Sequence, residues 1–388
     1  MTAESVLFAL LRTAVCGEVL SQGTVDACTP EVLSEVYSLT SSHDLAHLAG
    51  HALENAKLPN CEILGKFKTA KTQAIYRYMR LDYEYNRVCK TLEKAEIPFV
   101  PLKGSVLRNY YPEPWMRTSC DIDILVKEEQ LKYAVAEIER TLNYKVGERS
   151  NHDISLSSST GVHLELHYDT IRRLFANDRR KEVLALIWND AKPISADTCE
   201  FVISDEMFYF YHMAHMAKHF ENGGCGIRSI LDTWVMNHYI EENRAKRETL
   251  LDSGGLLAFA QAVESVTEVW FSGETPNTLA KRVGEYILQG GIYGNKENRA
   301  AFGQAKAGGK WRYLITRRLF IPYDYLKAEY PILKEHKYLT PIYQIVRWIN
   351  MLRSGAVKRH LTEIHSIIVT ETEIRRSAEQ LLRQLGLE

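Results

Sequence analysis

Two aspartates, Asp121 and Asp123, alternate with isoleucines in the run Asp121-Ile-Asp123-Ile-Leu-Val126. Aspartate is a poor strand former, and a carboxylate set among buried apolar residues is costly unless something compensates its charge. A bound cation is the simplest compensator. Residues i and i+2 of a strand share a face, roughly 6–7 Å apart along the chain. Both carboxylates would therefore point one way while Ile122 and Ile124 pack into the core. Two acids so placed can share hard cations such as Mg²⁺. A third acid is supplied by Val162-His163-Leu164-Glu165-Leu166-His167, where Glu165 points away from Leu164 and Leu166. In nucleotidyl transfer one Mg²⁺ lowers the pKa of the attacking group and a second binds the triphosphate. Acids bridging the two hold them about 3.5–4 Å apart.

Upstream lies Phe99-Val-Pro-Leu-Lys-Gly-Ser105, read as a strand, a glycine turn and a short helix. Gly104 would let the backbone approach a ligand closely, Ser105 offers a hydroxyl and an amide, and the helix start would present free N–H groups to an anion. Alone this is an ordinary strand-to-helix turn; its place one helix and one loop before the acid pair is what points to phosphate. A rival set is His163, Glu165 and His167, which alternate onto one strand face and suit Zn²⁺ or Fe²⁺ in a transition-metal hydrolase. That reading leaves the Asp pair and the glycine turn unexplained. A third alternative is a catalytically degenerate, nucleotide-binding regulatory protein, against which retention of all three acids speaks. His43, His47 and His51 fall at i, i+4 and i+8 of an expected helix, where a polar or partly buried face is the plainer reading than a metal site.

The elements that must position these residues are set by periodicity. Residues 5–96 read as helical, with Thr29-Pro30-Glu31 an N-cap followed by Pro at the first helical position, and Ser42 with Asp44 marking another start. The long, charged, aromatic-rich stretch 61–96 would brace the domain after it. Between 97 and 203 the pattern turns to alternation. Strands are expected at 99–102, 122–126, 144–147, 153–158 and 161–168, and helices at 105–110 and 128–142; Ser159-Thr-Gly161 forms a hairpin turn. From residue 204 helix returns. Asp205 opens one carrying His212, His215 and His219, closed by Asn222-Gly223-Gly224, and Ile227–Tyr239 comes next. Further helices are expected at 256–270, 276–288, 311–320, 341–352 and 361–385, with the clearest break at 306–310. The fold class is α+β: a small mixed-sheet core, 97–203, between helical regions 1–96 and 204–388.

The 388 residues, 45% hydrophobic, suffice for two or three domains. A net charge of −1 gives no global drive toward nucleic acid or anionic membrane. Seven scattered cysteines without a C-x-x-C pair suit reduced thiols in a cytoplasm. The N-terminus reads as an amphipathic helix and not a signal peptide, and no run reaches the length of a membrane span.

On Leu102-Lys-Gly-Ser105, Tyr111-Pro112, Arg117 and Asp121-Ile-Asp123-Ile-Leu-Val126, the sequence resembles the uncharacterised nucleotidyltransferases of the DNA polymerase β-type superfamily. His215-x-x-Lys218-His219, Gly226-Ile-Arg228 with Asp232, Arg318-Leu-Phe320 and Tyr330-Pro331 extend the likeness over roughly residues 97–350. The resemblance implies a polymerase β-like core in which Asp121, Asp123 and Glu165 hold two Mg²⁺ or Mn²⁺ ions. Gly104 and Ser105 would contact the triphosphate of ATP or another nucleotide, and Lys103 or Arg117 would neutralise phosphate charge. An Arg before a strand of acids can instead pair with one of them. His215, His219, Arg228 and Asp232 would close over the nucleotide or the acceptor; equally, the histidines could be packed and Arg228–Asp232 an intrahelical ion pair. The acceptor (small molecule, protein or tRNA end), the base and the oligomeric state stay open. Asp123→Ala is expected to abolish turnover with little loss of folding, because it removes a charge an empty site holds with difficulty.

Overall fold

A computed structural model of the chain describes residues 1–150, 152–170, 179–240, 243–292, 294–353 and 372–388. Five helices come first: α1 (Ala3–Val15), α2 (Gln22–Ala27), α3 (Pro30–Ser42), α4 (Ala46–Leu53) and the long α5 (Glu62–Lys94). Thr29 caps α3 by accepting the Val32 N–H, with Pro30 at the first position, as the sequence predicts. The start expected at Ser42 and Asp44 is not there. Ser42 is the last residue of α3, Asp44 turns the chain at φ 55°, and α4 begins at Ala46 without a side-chain cap. The Asp44 carboxylate is engaged elsewhere, accepting from Thr118 and Arg228.

His43 therefore stands off the helix carrying His47 and His51, and the three do not form one face. His43 Nε2–H donates to Leu288 O while Nδ1 accepts from the Ile227 N–H. His47 Nε2 bonds Met116 O at 2.8 Å, and burial pushes its imidazole down to about 4. Both are structural ties.

The sheet consists of β1 (Phe99–Pro101), β2 (Asp121–Val126), β3 (Lys145–Arg149), β4 (Asp153–Ser157) and β5 (His163–His167), in the order β1-β2-β5-β4-β3. Only β2 and β5 run parallel; the other neighbours are antiparallel. Alternation gives it two unlike faces. Ile122, Ile124, Leu156, Leu164 and Leu166 pack against Leu81, Val88 and Leu92 of α5 and against Ala134 and Ile138 of α7 (Leu131–Leu142). Each such side chain contributes about 1.5–3 kcal/mol on burial, so this face fixes which residues of β2 and β5 look the other way. Asp121, Asp123, Glu165 and His167 do.

Above that second face lie α10 (Asp205–Glu221) and α11 (Ile227–Tyr239), reached through α6 (Gly104–Leu107) at the β1 turn, α8 (Arg179–Leu184), α9 (Ile187–Asp190) and a two-stranded ribbon, β6 (Lys192–Pro193) with β7 (Phe201–Val202). Ser204, one residue before the expected opener, caps α10. The apolar core of α1–α4 is continuous with that of α10, α11 and the helix Leu257–Thr267, and Phe8 stacks on Trp270 at 4.7 Å. Helices Arg244–Ser253 and Lys296–Lys306 are not legible in the sequence because their composition is mostly polar. The helix expected at 361–385 falls partly outside the described residues; Thr372–Gln384 is its described portion. Among the described residues no helix is long and apolar enough to cross a membrane. All seven cysteines are free thiols.

Candidate active site

Register places the acids. Across the parallel pair Asp123 lies beside Glu165, and Asp121 two residues earlier beside His163. Asp123, 3% exposed, accepts from Lys103 Nζ at 2.7 Å and from His167 Nε2–H at 2.8 Å, both on Oδ1. Glu165 Oε2 is 3.4 Å from His167 Nε2 and 3.9 Å from Lys103 Nζ. Burial alone would raise the Asp123 carboxyl, but the Lys103 charge and the His167 hydrogen bond hold it well below the usual carboxylate range. Asp121 is pushed up, first by burial and then by the Asp123 charge. Lys103 is held protonated by Asp123 against its own burial.

The donor set fits a divalent cation. Asp123 and Glu165 bring carboxylate oxygens within 4.8 Å of each other, with a His167 nitrogen equally near as a hydrogen-bonding neighbour, and Asp121, on the same face, carries a charge that a cation would relieve. Lys103 currently supplies that neutralisation. Its backbone sits at φ 47°, ψ −121°, a conformation that costs a non-glycine residue about 1–3 kcal/mol and is found where function demands it.

A cavity of about 360 Å³ opens over the acids. Its floor is the polar sheet face, its side wall Gly104, Arg117, Ser119 and Cys120, and its roof Tyr211, His215 and His219 of α10 with Arg228 and Asp232 of α11. It gathers Lys103, Gly104, Arg117, Asp121, Asp123, Glu165, His215, His219, Arg228 and Asp232 around one space. Residues 30–272 match the family described as uncharacterised nucleotidyltransferase. The chain belongs to that family. No curated protein matches it. The nucleotidyltransferase match takes in α3 to α11 and every cavity-lining residue except Ile292. It starts earlier and ends sooner than the span 97–350 read from motifs, so the N-terminal helices from α3 onward belong to the family unit, whereas Arg318-Leu-Phe320 and Tyr330-Pro331 lie beyond it.

The glycine turn differs from expectation in three respects. The Ser105 hydroxyl is buried with no partner among the described residues, and Ser105 borders a second cavity of about 180 Å³, not the acid cavity; Ser119 lines the latter. Two of the first-turn amides are engaged within the chain, Ser105 N–H donating to Leu102 O and Val106 N–H to Lys103 O. Gly104 is crowded by its own chain: a Cβ there would lie 3.1 Å from Ser119 Cβ and 3.2 Å from Ser119 Oγ, which Arg108 already holds by a 3.0 Å bond. Gly104→Ala should therefore lower stability by about 1–3 kcal/mol through overpacking. Urea denaturation checks this, and an unchanged midpoint would mean that the Ser119 segment moves aside freely.

Arg117 pairs with none of the strand acids. Its Nε–H donates to Asp232 Oδ1 at 2.7 Å, and the Tyr111 hydroxyl donates to the same oxygen at 2.7 Å. Nor do Arg228 and Asp232 form an intrahelical pair. Arg228 reaches back to Asp44 Oδ2 at 3.2 Å and to Thr118 O at 3.1 Å. Together these bonds tie the loop before β2 to α11 and to the α3–α4 turn. His215 and His219 share a hydrogen bond between their Nε2 atoms at 3.2 Å. Burial and then the Lys103 charge push His215 well down, and burial with Lys218 takes His219 down to about 4, so both imidazoles are neutral near pH 7.

His163, Glu165 and His167 do not assemble as a metal set. His163 instead bonds Ser155, Ser157 and Leu156 O and stands outside both metal-capable groups found among the described residues. The second group, His152, Asp153 and His167, is not apparent from sequence spacing, although Asp153 opens a strand beside Ile154 and is as costly there as Asp121 beside Ile122. Asp44 and Tyr111, read in the sequence only as a helix start and as part of the Tyr111-Pro112 motif, give no local signal of the bonds they make to Arg228 and Asp232.

Proposed function

We propose that this chain moves a nucleoside monophosphate from a nucleoside triphosphate to an acceptor, with Asp121, Asp123 and Glu165 holding two Mg²⁺ or Mn²⁺ ions. The observation that carries the reading is the β2–β5 register, which sets Asp123 against Glu165 on the floor of a cavity roofed by basic and neutral donors. An acid pair on one strand, a third acid on its parallel neighbour and a five-stranded mixed sheet support a polymerase β-type core. When bound, the ions would lower the pKa of the acceptor group and neutralise the triphosphate.

The chain's own residues supply the rest. Lys103, already beside the acids, is the side chain to meet a phosphate oxygen. Arg228, fastened to Asp44 and Thr118, offers a preorganised guanidinium in the cavity wall. Arg117 acts through Asp232, keeping the wall rigid. The neutral His215–His219 pair offers hydrogen-bonding nitrogens at the cavity roof. A 360 Å³ space fits a nucleotide and a small acceptor group better than a long polynucleotide. Free cysteines support a reducing, cytoplasmic setting.

The degenerate, regulatory alternative draws on one observation, that Lys103 already neutralises Asp123. Calorimetry with each ribonucleoside triphosphate separates the readings when paired with a pyrophosphate-release assay. Binding should require Mg²⁺ or Mn²⁺, because three carboxylates otherwise repel the phosphates. Binding without turnover across acceptor classes would favour the regulatory role, and no binding of any nucleotide would sink both.

A further inference from the structure

We propose that His152, Asp153 and the Nδ1 atom of His167 form a transition-metal site, suited to Zn²⁺, beside the three acids and distinct from them. His167 is 3% exposed and donates its Nε2–H to Asp123. In the neutral ring that bond leaves the lone pair on Nδ1, and this buried atom has no hydrogen-bond partner among the described residues. An orphaned lone pair on a buried ring is unfavourable, whereas an imidazole whose other nitrogen donates to a carboxylate is the usual form of a metal-ligating histidine.

The neighbours complete a ligand set. The β4–β5 register puts Asp153 beside His167, and His152, Asp153 and His167 each bring a ligand atom within 4.8 Å of the others. Ser150 Oγ bonds His152 Nδ1 at 2.7 Å, which leaves His152 Nε2 directed at Asp153 Oδ2, 2.9 Å away. Two imidazoles, borderline donors that Mg²⁺ takes up poorly, beside one carboxylate select Zn²⁺ or a similar transition ion over Mg²⁺. His152 and Asp153 also line the cavity, so a fourth position would face the nucleotide space. Through the bond from His167 to Asp123, such an ion would orient the catalytic acid without touching it.

The test uses the full chain, stripped with a chelator, kept in millimolar Mg²⁺ and titrated with Zn²⁺ by calorimetry, with Co²⁺ absorption as an optical probe. The expected result is one Zn²⁺ per chain. His152→Ala and Asp153→Asn, shown folded by circular dichroism, should each weaken it by about 100-fold or more, and Glu165→Gln by less than about tenfold. His152→Gln replaces His152→Ala should the latter not fold. No Zn²⁺ uptake by the parent, or parental affinity in both folded variants, overturns the site. So does loss in Glu165→Gln with retention in His152→Ala, which would put the ion among the nucleotidyltransferase acids. None of these outcomes depends on nucleotide binding, so the two proposals fail separately.

Discussion

Asp123→Asn should reduce nucleotidyl transfer by about 10³-fold or more, because it keeps the side chain's shape and removes the charge at the centre of the acid cluster. Asp123 is the acid on which Lys103 and His167 converge, so no neighbouring carboxylate can take its place. The expectation that Asp123 could be removed with little loss of folding does not hold. It assumes an uncompensated charge, whereas the structure pairs that charge. Removing it leaves the Lys103 ammonium without its hydrogen-bonded carboxylate, with Asp121 and, 3.9 Å away, Glu165 as the remaining counter-charges, so Asp123→Ala should destabilise the fold toward the lower end of the roughly 3–5 kcal/mol seen when one partner of a buried pair is lost. Adding Lys103→Met should recover stability without recovering activity. Turnover with Mg²⁺ and urea denaturation, measured on both proteins, check this; activity within tenfold of the parent would remove Asp123 from the metal-binding role.

Asp232→Ala should be among the most destabilising single changes in the cavity wall, by about 3–5 kcal/mol. Asp232 is 1% exposed and is the shared acceptor of Arg117 and Tyr111; without it a buried guanidinium loses its counter-charge, keeping only the Thr118 carbonyl, and a buried hydroxyl loses its acceptor. The double change Arg117→Met with Asp232→Leu should be much milder, since it removes both charges and retains apolar volume. Burial would raise the Asp232 carboxyl, but the Arg117 charge and hydrogen bond lower it below its ordinary value. That direction sets the sign of the pH effect. A depressed folded-state pKa gives stability that is fully present above the unfolded value, near about 3.9, and is lost as pH falls through the folded value. Urea denaturation between neutral pH and about pH 3 should show the parent losing stability at the acid end and Asp232→Asn losing less. A loss below about 1 kcal/mol in Asp232→Ala would show that the wall does not depend on this pair.

Much of the site is legible because it rests on local periodicity. A two-residue alternation is enough to say that Asp121 and Asp123 share a face and that Glu165 opposes Leu164 and Leu166, and burial of Ile122, Ile124, Leu164 and Leu166 enforces it. The Thr29 cap, the Ser159-Thr-Gly161 hairpin and the ends of α10 and α11 are likewise set by neighbours a few residues away. The Lys-Gly-Ser motif does not show where the Ser105 hydroxyl goes, since that depends on how closely the Ser119 segment approaches Gly104.

The sequence by itself determined the acid constellation, the α+β class and the likeness to nucleotidyltransferases, because residue type and short-range period suffice for each. Only the tertiary structure decided who neutralises whom. Arg117 meets Asp232 across 115 residues and Arg228 meets Asp44 across 184, while the nearer strand acids and the intrahelical partner were passed over. A buried charge takes the partner that packing delivers to it, and packing brings together segments whose separation along the chain carries no information about their distance in space.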